Sequence, residues 1–130
     1  MSDSDHIPSP DAGRLLVVND NRHIQQLLRV AFSGTGFDVV AVASGEQALR
    51  VLGHGGFDLM ILDVRMPTMS GLEVLRHVRA SARTQTLPVI LLTGEGDLQN
   101  RVEGLNLGAS DYVVKPFELA GLSWLADLAL

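Results

Sequence analysis

Four short apolar runs in this chain each stop at a polar or charged residue. The runs are residues 15–18 before Asn19 and Asp20, 59–62 before Asp63, 89–92 before Thr93, and 112–114 before Lys115. A short apolar run bounded by turn residues is typical of a strand buried on both faces. Because parallel strands end at one edge of a sheet, we expect these polar side chains to meet where open α/β sheets bind ligands.

Amphipathic segments alternate with these strands. The predicted strands are residues 14–19, 37–42, 57–63, 87–93 and 111–115. The first helix carries an apolar stripe that begins at Ile24, the second starts at Ser44 with Gln47 completing a capping box, and Asp97 is a plausible N-cap of the fourth. The pattern predicts an α/β fold, a (βα)5 flavodoxin-like three-layer sandwich with a five-stranded parallel sheet in the order 2-1-3-4-5.

Composition narrows the class of protein. The chain has 130 residues, enough for one domain, which we place at 14–130 after an acidic, Ser- and Pro-rich arm at 1–13 that we expect to be flexible. A net charge of −5 disfavours a nucleic-acid surface, and the absence of cysteine excludes disulfides and thiol chemistry. With no signal-peptide pattern and no apolar stretch near the ~20 residues that span a bilayer, we expect a cytoplasmic protein without membrane contact.

The strand-end residues favour phosphoryl chemistry. Two neighbouring carboxylates, Asp20 and Asp63, repel each other unless a cation lies between them, and Mg²⁺ favours one or two carboxylates together with a phosphate. Asp63 follows a rigid strand and is positioned as a nucleophile, since aspartate can form an acyl phosphate. Lys115 and Thr93 offer an ammonium and a hydroxyl to phosphate oxygens. These groups supply the positioning and charge neutralisation that phosphoryl transfer needs.

The segments LLVVND, LMILDVRMPTMSGLEVL, VILLTGEG and DYVVKPF resemble the signature segments of response-regulator receiver domains of bacterial two-component signalling, the CheY-like superfamily. The resemblance runs from about Arg14 to the end of the chain. It implies a domain that is not an enzyme in the usual sense, because it catalyses only its own phosphorylation and dephosphorylation. It also implies that the phosphoryl group comes from a sensor histidine kinase or a phosphotransfer protein.

The resemblance assigns roles to individual residues. Asp63 would be the phosphoacceptor, and Asp20 and the backbone carbonyl of Arg65 would join it as Mg²⁺ ligands. Thr93 and Tyr112 would be a switch pair that reports phosphorylation. Lys115 would contact the phosphate.

Asn19 departs from the family, which usually has two consecutive acids after the first strand. An amide oxygen could still bind the metal weakly or through a water, but the lost charge predicts weakened Mg²⁺ binding. The alternative is a degenerate receiver-like scaffold that binds its partner without phosphorylation. An aspartyl-phosphate phosphatase is disfavoured, because Arg65 stands where such enzymes usually have a second acid.

Two further expectations concern the output and the phosphate lifetime. Residues 116–130 contain no Lys or Arg. We predict a fifth helix there that is truncated at its C-terminal end, with Trp124 and Leu128 four residues apart on one face. They suggest an apolar contact with a second copy or an output domain, through the surface of the last two helices and the fifth strand. A salt bridge between Arg65 and Glu95 could hinder attacking water.

Overall fold

The computed structural model describes residues 13–94 and 96–115. Five strands and four helices alternate within these residues. They are β1 (Arg14–Val18), α1 (Arg22–Ala31), β2 (Asp38–Val42), α2 (Gly45–Leu52), β3 (Leu59–Asp63), α3 (Gly71–Ala80), β4 (Val89–Thr93), α4 (Leu98–Asn106) and β5 (Asp111–Val114). All neighbouring strands are parallel and the order is β2-β1-β3-β4-β5, which confirms the predicted fold. The expected arm and fifth helix lie outside the described residues, apart from Gly13.

The unbroken apolar runs arise because the three central strands are covered on both faces. Alternate residues of a strand point to opposite faces, so Leu15 and Val17 pack with α1 while Leu16 and Val18 pack with α2 and α3. Every residue of β3 and β4 is buried, whereas the edge strands β2 and β5 are only partly buried. The sheet therefore has a rigid centre, and β3 ends within it.

Strand starts differ from the sequence prediction by one or two residues. Residues 57–58 and 87–88 were predicted as strand but precede β3 and β4. Pro88 has no N–H to donate, and its carbonyl oxygen still accepts from Met60 N–H at 2.9 Å. These residues approach the sheet without completing its ladder, so only the strand ends that carry the polar side chains were predicted closely.

Helix starts follow their capping residues. Asn21 caps α1, and its Oδ1 accepts from His23 N–H at 2.8 Å. Ser44 caps α2 as predicted, with Gln47 reaching back to Ala43 N–H. Within the described part of the chain, no helix has the length and apolar character that a bilayer crossing requires.

Candidate functional site

Asp63 lies at the end of β3 with its carboxylate nearly enclosed. Its side chain is 3% exposed, and Oδ1 accepts from Lys115 Nζ at 2.7 Å. Lys115 follows β5 and is 28% exposed, so its ammonium reaches inward from the rim of the sheet. The two residues are 52 positions apart in sequence, and the parallel sheet brings them together as the strand-end pattern predicts.

Burial raises the pKa of Asp63 above its ordinary value of 3.8, because the enclosed carboxylate loses hydration. The Lys115 ammonium opposes this by hydrogen bonding and by charge, and Arg65 N–H, 3.4 Å from Oδ1, opposes it more weakly. The negative charge of Asp20 raises the pKa further. The net upward direction means that one ammonium does not fully compensate the buried charge.

The oxygen groups at this edge suit Mg²⁺. Asp20 is exposed directly after Asn19, while Asp63 is buried, so one carboxylate faces water and the other the protein. No cluster of three or more His, Cys, Asp or Glu side chains occurs within residues 13–94 and 96–115. Two carboxylates alone offer few oxygen atoms, and such a set suits an ion that retains several waters rather than one that needs a full protein cage.

Thr93 and Tyr112 belong to the same pair of strands but differ in setting. Thr93 ends β4, is buried, and its hydroxyl donates to the carbonyl of Val113 over a long 3.5 Å. Tyr112 pairs with Leu91 in the sheet register, is half-buried and packs against the core on the α2–α3 face. The Arg101 guanidinium lies 5.4 Å from the centre of the Tyr112 ring. A weakly bonded hydroxyl and a half-buried ring thus lie on adjacent strands.

Asn19 is completely buried, and its amide oxygen is already engaged. Oδ1 accepts from Asn21 N–H at 2.7 Å, which leaves Nδ2 as the free end of the side chain. Among the residues that the structure describes, Nδ2 has no hydrogen-bond partner. Oδ1 thus already accepts one hydrogen bond, and Nδ2 is the polar atom of the side chain that lacks a partner.

Arg65 bridges two loops through Asp97, a contact that the sequence did not predict. Its Nε lies 2.9 Å from Asp97 Oδ2 and 3.1 Å from Oδ1, and its Nη2 also bonds Oδ1. The guanidinium is 72% exposed and the carboxylate only 4%. Glu95, the partner expected for Arg65, lies outside the described residues.

Asp97 occupies the predicted N-cap position of α4 but makes no capping hydrogen bond. Its carboxylate instead accepts from Arg65 and from Gly94 N–H at 3.2 Å, and these contacts lower its pKa to about 2. The only signal in the sequence was an acid next to a glycine loop, which capping also explains.

Comparison with known proteins identifies the family. The family model described as "Response regulator receiver domain" matches residues 15–125. The chain is 41% identical over 112 residues to the uncharacterized transcriptional regulatory protein YkoG of Bacillus subtilis, which covers 86% of this chain and 48% of that protein. It is 46% identical over 109 residues to the transcriptional regulatory protein TctD of Salmonella typhimurium, covering 84% and 48%. The chain thus spans about half the length of these relatives.

Solved structures agree with the sequence comparison. A response regulator from Chloroflexus aurantiacus superposes with a TM-score of 0.84 at 34% identity, over 92% of this chain and 98% of that one. The receiver domain of the sensor histidine kinase PA1611 from Pseudomonas aeruginosa, crystallised with magnesium coordinated in its active site cleft, gives 0.79 at 30% identity, over 90% and 96%. This chain therefore belongs to the response regulator receiver domain family.

Proposed function

We propose that this receiver domain accepts a phosphoryl group on Asp63 from a sensor histidine kinase or a phosphotransfer protein, with Mg²⁺ bound. The observation that supports this proposal most strongly is the buried Asp63 carboxylate at the end of β3, with Lys115 Nζ 2.7 Å from its Oδ1. A carboxylate fixed at the end of a buried strand, next to one ammonium, can be presented to an incoming phosphorus atom with little rearrangement.

The transfer forms one bond and breaks one. A carboxylate oxygen of Asp63 attacks the phosphorus of a phosphohistidine, the P–N bond breaks, and the released imidazole retains the electron pair and takes a proton from solvent. Lys115 moves from a carboxylate oxygen to the incoming phosphoryl oxygens and so keeps an anionic partner throughout. Thr93 can exchange its long bond to Val113 for a bond to another phosphoryl oxygen.

Asp20, Asp63 and the carbonyl of Arg65 would hold the Mg²⁺ ion. When bound, the ion would neutralise charge shared between the two carboxylates and the phosphoryl group. The raised pKa of Asp63 supports this assignment, because its causes show a buried negative charge that Lys115 alone does not balance.

We propose that the signal is transmitted by a surface made of α4, β5 and the segment after residue 115. Leu98, Val102 and Leu105 form an exposed apolar row on α4 at spacings of four and three. Thr93 and Tyr112 lie on β4 and β5 beside this surface. A second copy or an output domain would bind there, and the expected contributions of Trp124 and Leu128 lie outside the described residues.

Phosphorylation can be tested without the natural kinase. Wild type is incubated with Mg²⁺ and acetyl phosphate, and intact mass spectrometry measures the addition of one phosphoryl group. We expect an adduct in wild type that Asp63→Asn lacks. Asp58→Asn is the matched control, because Asp58 is exposed just before the start of β3, at the opposite edge of the sheet.

The same experiment distinguishes a receiver domain that is phosphorylated on Asp63 from a degenerate scaffold that binds its partner without phosphorylation. If wild type forms no Asp63-dependent adduct at saturating Mg²⁺, phosphorylation is excluded and the scaffold reading takes its place. If Asp58→Asn loses the adduct as well, the signal does not come from the strand-end site.

A further inference from the structure

Asn19 carries a buried hydrogen-bond donor that the protein leaves unused. The residue is held on every other side: its N–H donates to Val42 at 3.1 Å, its carbonyl accepts from Gln25 Nε2 at 2.6 Å, and Oδ1 accepts from Asn21 N–H. Of the polar atoms of Asn19, Nδ2 is the one that has no partner among the described residues. A buried donor without a partner is destabilising, so an unpaired atom in so well fixed a residue calls for a ligand.

The amide orientation follows from the contact with Asn21. A flipped amide would place its NH₂ group against the Asn21 N–H, and two donors would face each other. The free end is therefore a donor. A donor can neither ligate a cation nor accept from a cation's bound water, whereas it binds an anionic oxygen well.

The position of Asn19 in the sheet identifies which anion is near. Val18 pairs with Leu62 across β1 and β3, so the next residues on the two strands, Asn19 and Asp63, are neighbours. Both are buried. Lys115 already donates to the Asp63 carboxylate, and a phosphoryl group there would bring three further acceptor oxygens into the same enclosed place.

We propose that Asn19 Nδ2 donates a hydrogen bond to an oxygen of the phosphoryl group carried by Asp63. Asn19 then stabilises the phosphorylated state directly, where an acid would act through the metal, and the phosphorylated state depends less on Mg²⁺ than with Asp at this position. An acid here would add a second carboxylate, with Asp20, beside the phosphoryl group, and a bound cation would have to offset the added charge. This inference rests on the proposed function, since it requires an acceptor on Asp63.

The direct test follows the Asn19 side-chain amide by ¹H–¹⁵N NMR, with beryllofluoride as the probe. Its fluorine atoms stand in for phosphoryl oxygens on Asp63. The Asn19 NH₂ signals are assigned by their absence in Asn19→Asp, and the exposed Asn21 amide is the internal control. We expect the Asn19 NH₂ protons to shift downfield when beryllofluoride is added with Mg²⁺, and to stay unchanged with Mg²⁺ alone.

Other outcomes overturn the proposal in distinguishable ways. If the Thr93 and Lys115 backbone amides shift on adding beryllofluoride while the Asn19 NH₂ does not, the adduct forms and only the role of Asn19 is wrong. If the Asn19 signals respond to Mg²⁺ alone, the residue serves the metal. If nothing near Asp63 responds, the proposed function fails together with this inference.

A second measurement compares the metal requirement of wild type and Asn19→Asp. We expect Asn19→Asp to bind Mg²⁺ at least about fivefold more tightly. When EDTA removes the Mg²⁺, we expect wild type to retain a larger fraction of its beryllofluoride adduct than Asn19→Asp does. Asp58→Asn serves again as the control, because it changes a charge at the opposite edge of the sheet. Equal affinities, or an equal metal requirement in the two proteins, would contradict the proposal.

Discussion

Replacing Gly71 with alanine tests how the fold holds the end of β3, which carries the proposed phosphoacceptor Asp63. Gly71 begins α3, and its N–H donates to the carbonyl of Val64 at 2.8 Å. An added Cβ would lie 2.8 Å from Val64 Cα, 2.9 Å from the carbonyl carbon of Asp63, and closer still to the Asp63 carbonyl oxygen. Real Cβ atoms essentially never approach within 3.0 Å, so α3 or the end of β3 must move.

Two opposing effects set the magnitude. Alanine is favoured over glycine in a helix by up to about 1 kcal/mol. Overpacking costs typically about 1–3 kcal/mol, and the upper value applies here because the obstructing atoms are backbone rather than a movable side-chain tip. The net expectation is a loss of about 2 kcal/mol in the free energy of unfolding. For a domain of this size that lowers Tm by roughly 6–10 °C.

Urea and thermal unfolding followed by circular dichroism measure the effect. Gly96→Ala is the matched control, because a Cβ there meets nothing within 4 Å, and we expect a change within about 0.5 kcal/mol. Gly104→Ala is intermediate, since its closest clash is with the Leu91 side chain. A Gly71→Ala protein as stable as wild type would refute the close-packing argument. In its folded fraction we also expect slower Asp63 phosphorylation, because the Asp63 backbone is displaced.

Two further predictions use the opposite pKa shifts of the buried acids. Asp63→Asn should raise the free energy of unfolding at neutral pH, because burial raises the pKa of Asp63 and an amide avoids burying the charge. This gain should disappear at pH values below 3.8, where the carboxyl is protonated in both the folded and the unfolded state. A urea-unfolding series across pH that shows a constant or negative difference would contradict this. Asp97→Asn should lose stability above pH 3.8 and converge with wild type as the pH falls toward 2, since the pKa of Asp97 is lowered to about 2. Parallel pH profiles for Asp97→Asn and wild type would show that the Arg65 contact does not stabilise the fold.

The sequence predicted the strand ends well because two independent patterns coincide there. An apolar run must end where its strand leaves the core, and the residue that follows can be polar only at the rim of the sheet. Asp63, Thr93 and Lys115 satisfy both conditions and lie where expected. The direction of the Asn19 amide could not be predicted, because it depends on the backbone N–H of Asn21 after the chain turns into α1.

The bridge between Arg65 and Asp97 was not predictable for a different reason: 32 residues separate the partners, and each has an adequate local explanation. The bridge nevertheless allows the two buried acids near the site to be compared. Asp63 and Asp97 are both buried carboxylates, yet their pKa values move in opposite directions. Asp97 accepts several hydrogen bonds from Arg65 and one from Gly94, so its charge is compensated and it serves to tie two loops together.

Asp63 receives one strong contact, from Lys115, and a long one from the Arg65 backbone. Its charge is left partly uncompensated by the protein, and a group that brings positive charge or disperses the negative charge is stabilised there. Environments that move the pKa values of two neighbouring acids apart assign them different roles. The unpaired Asn19 Nδ2 brings such a partial positive charge beside an under-compensated acid, whereas beside Asp97 it would be redundant.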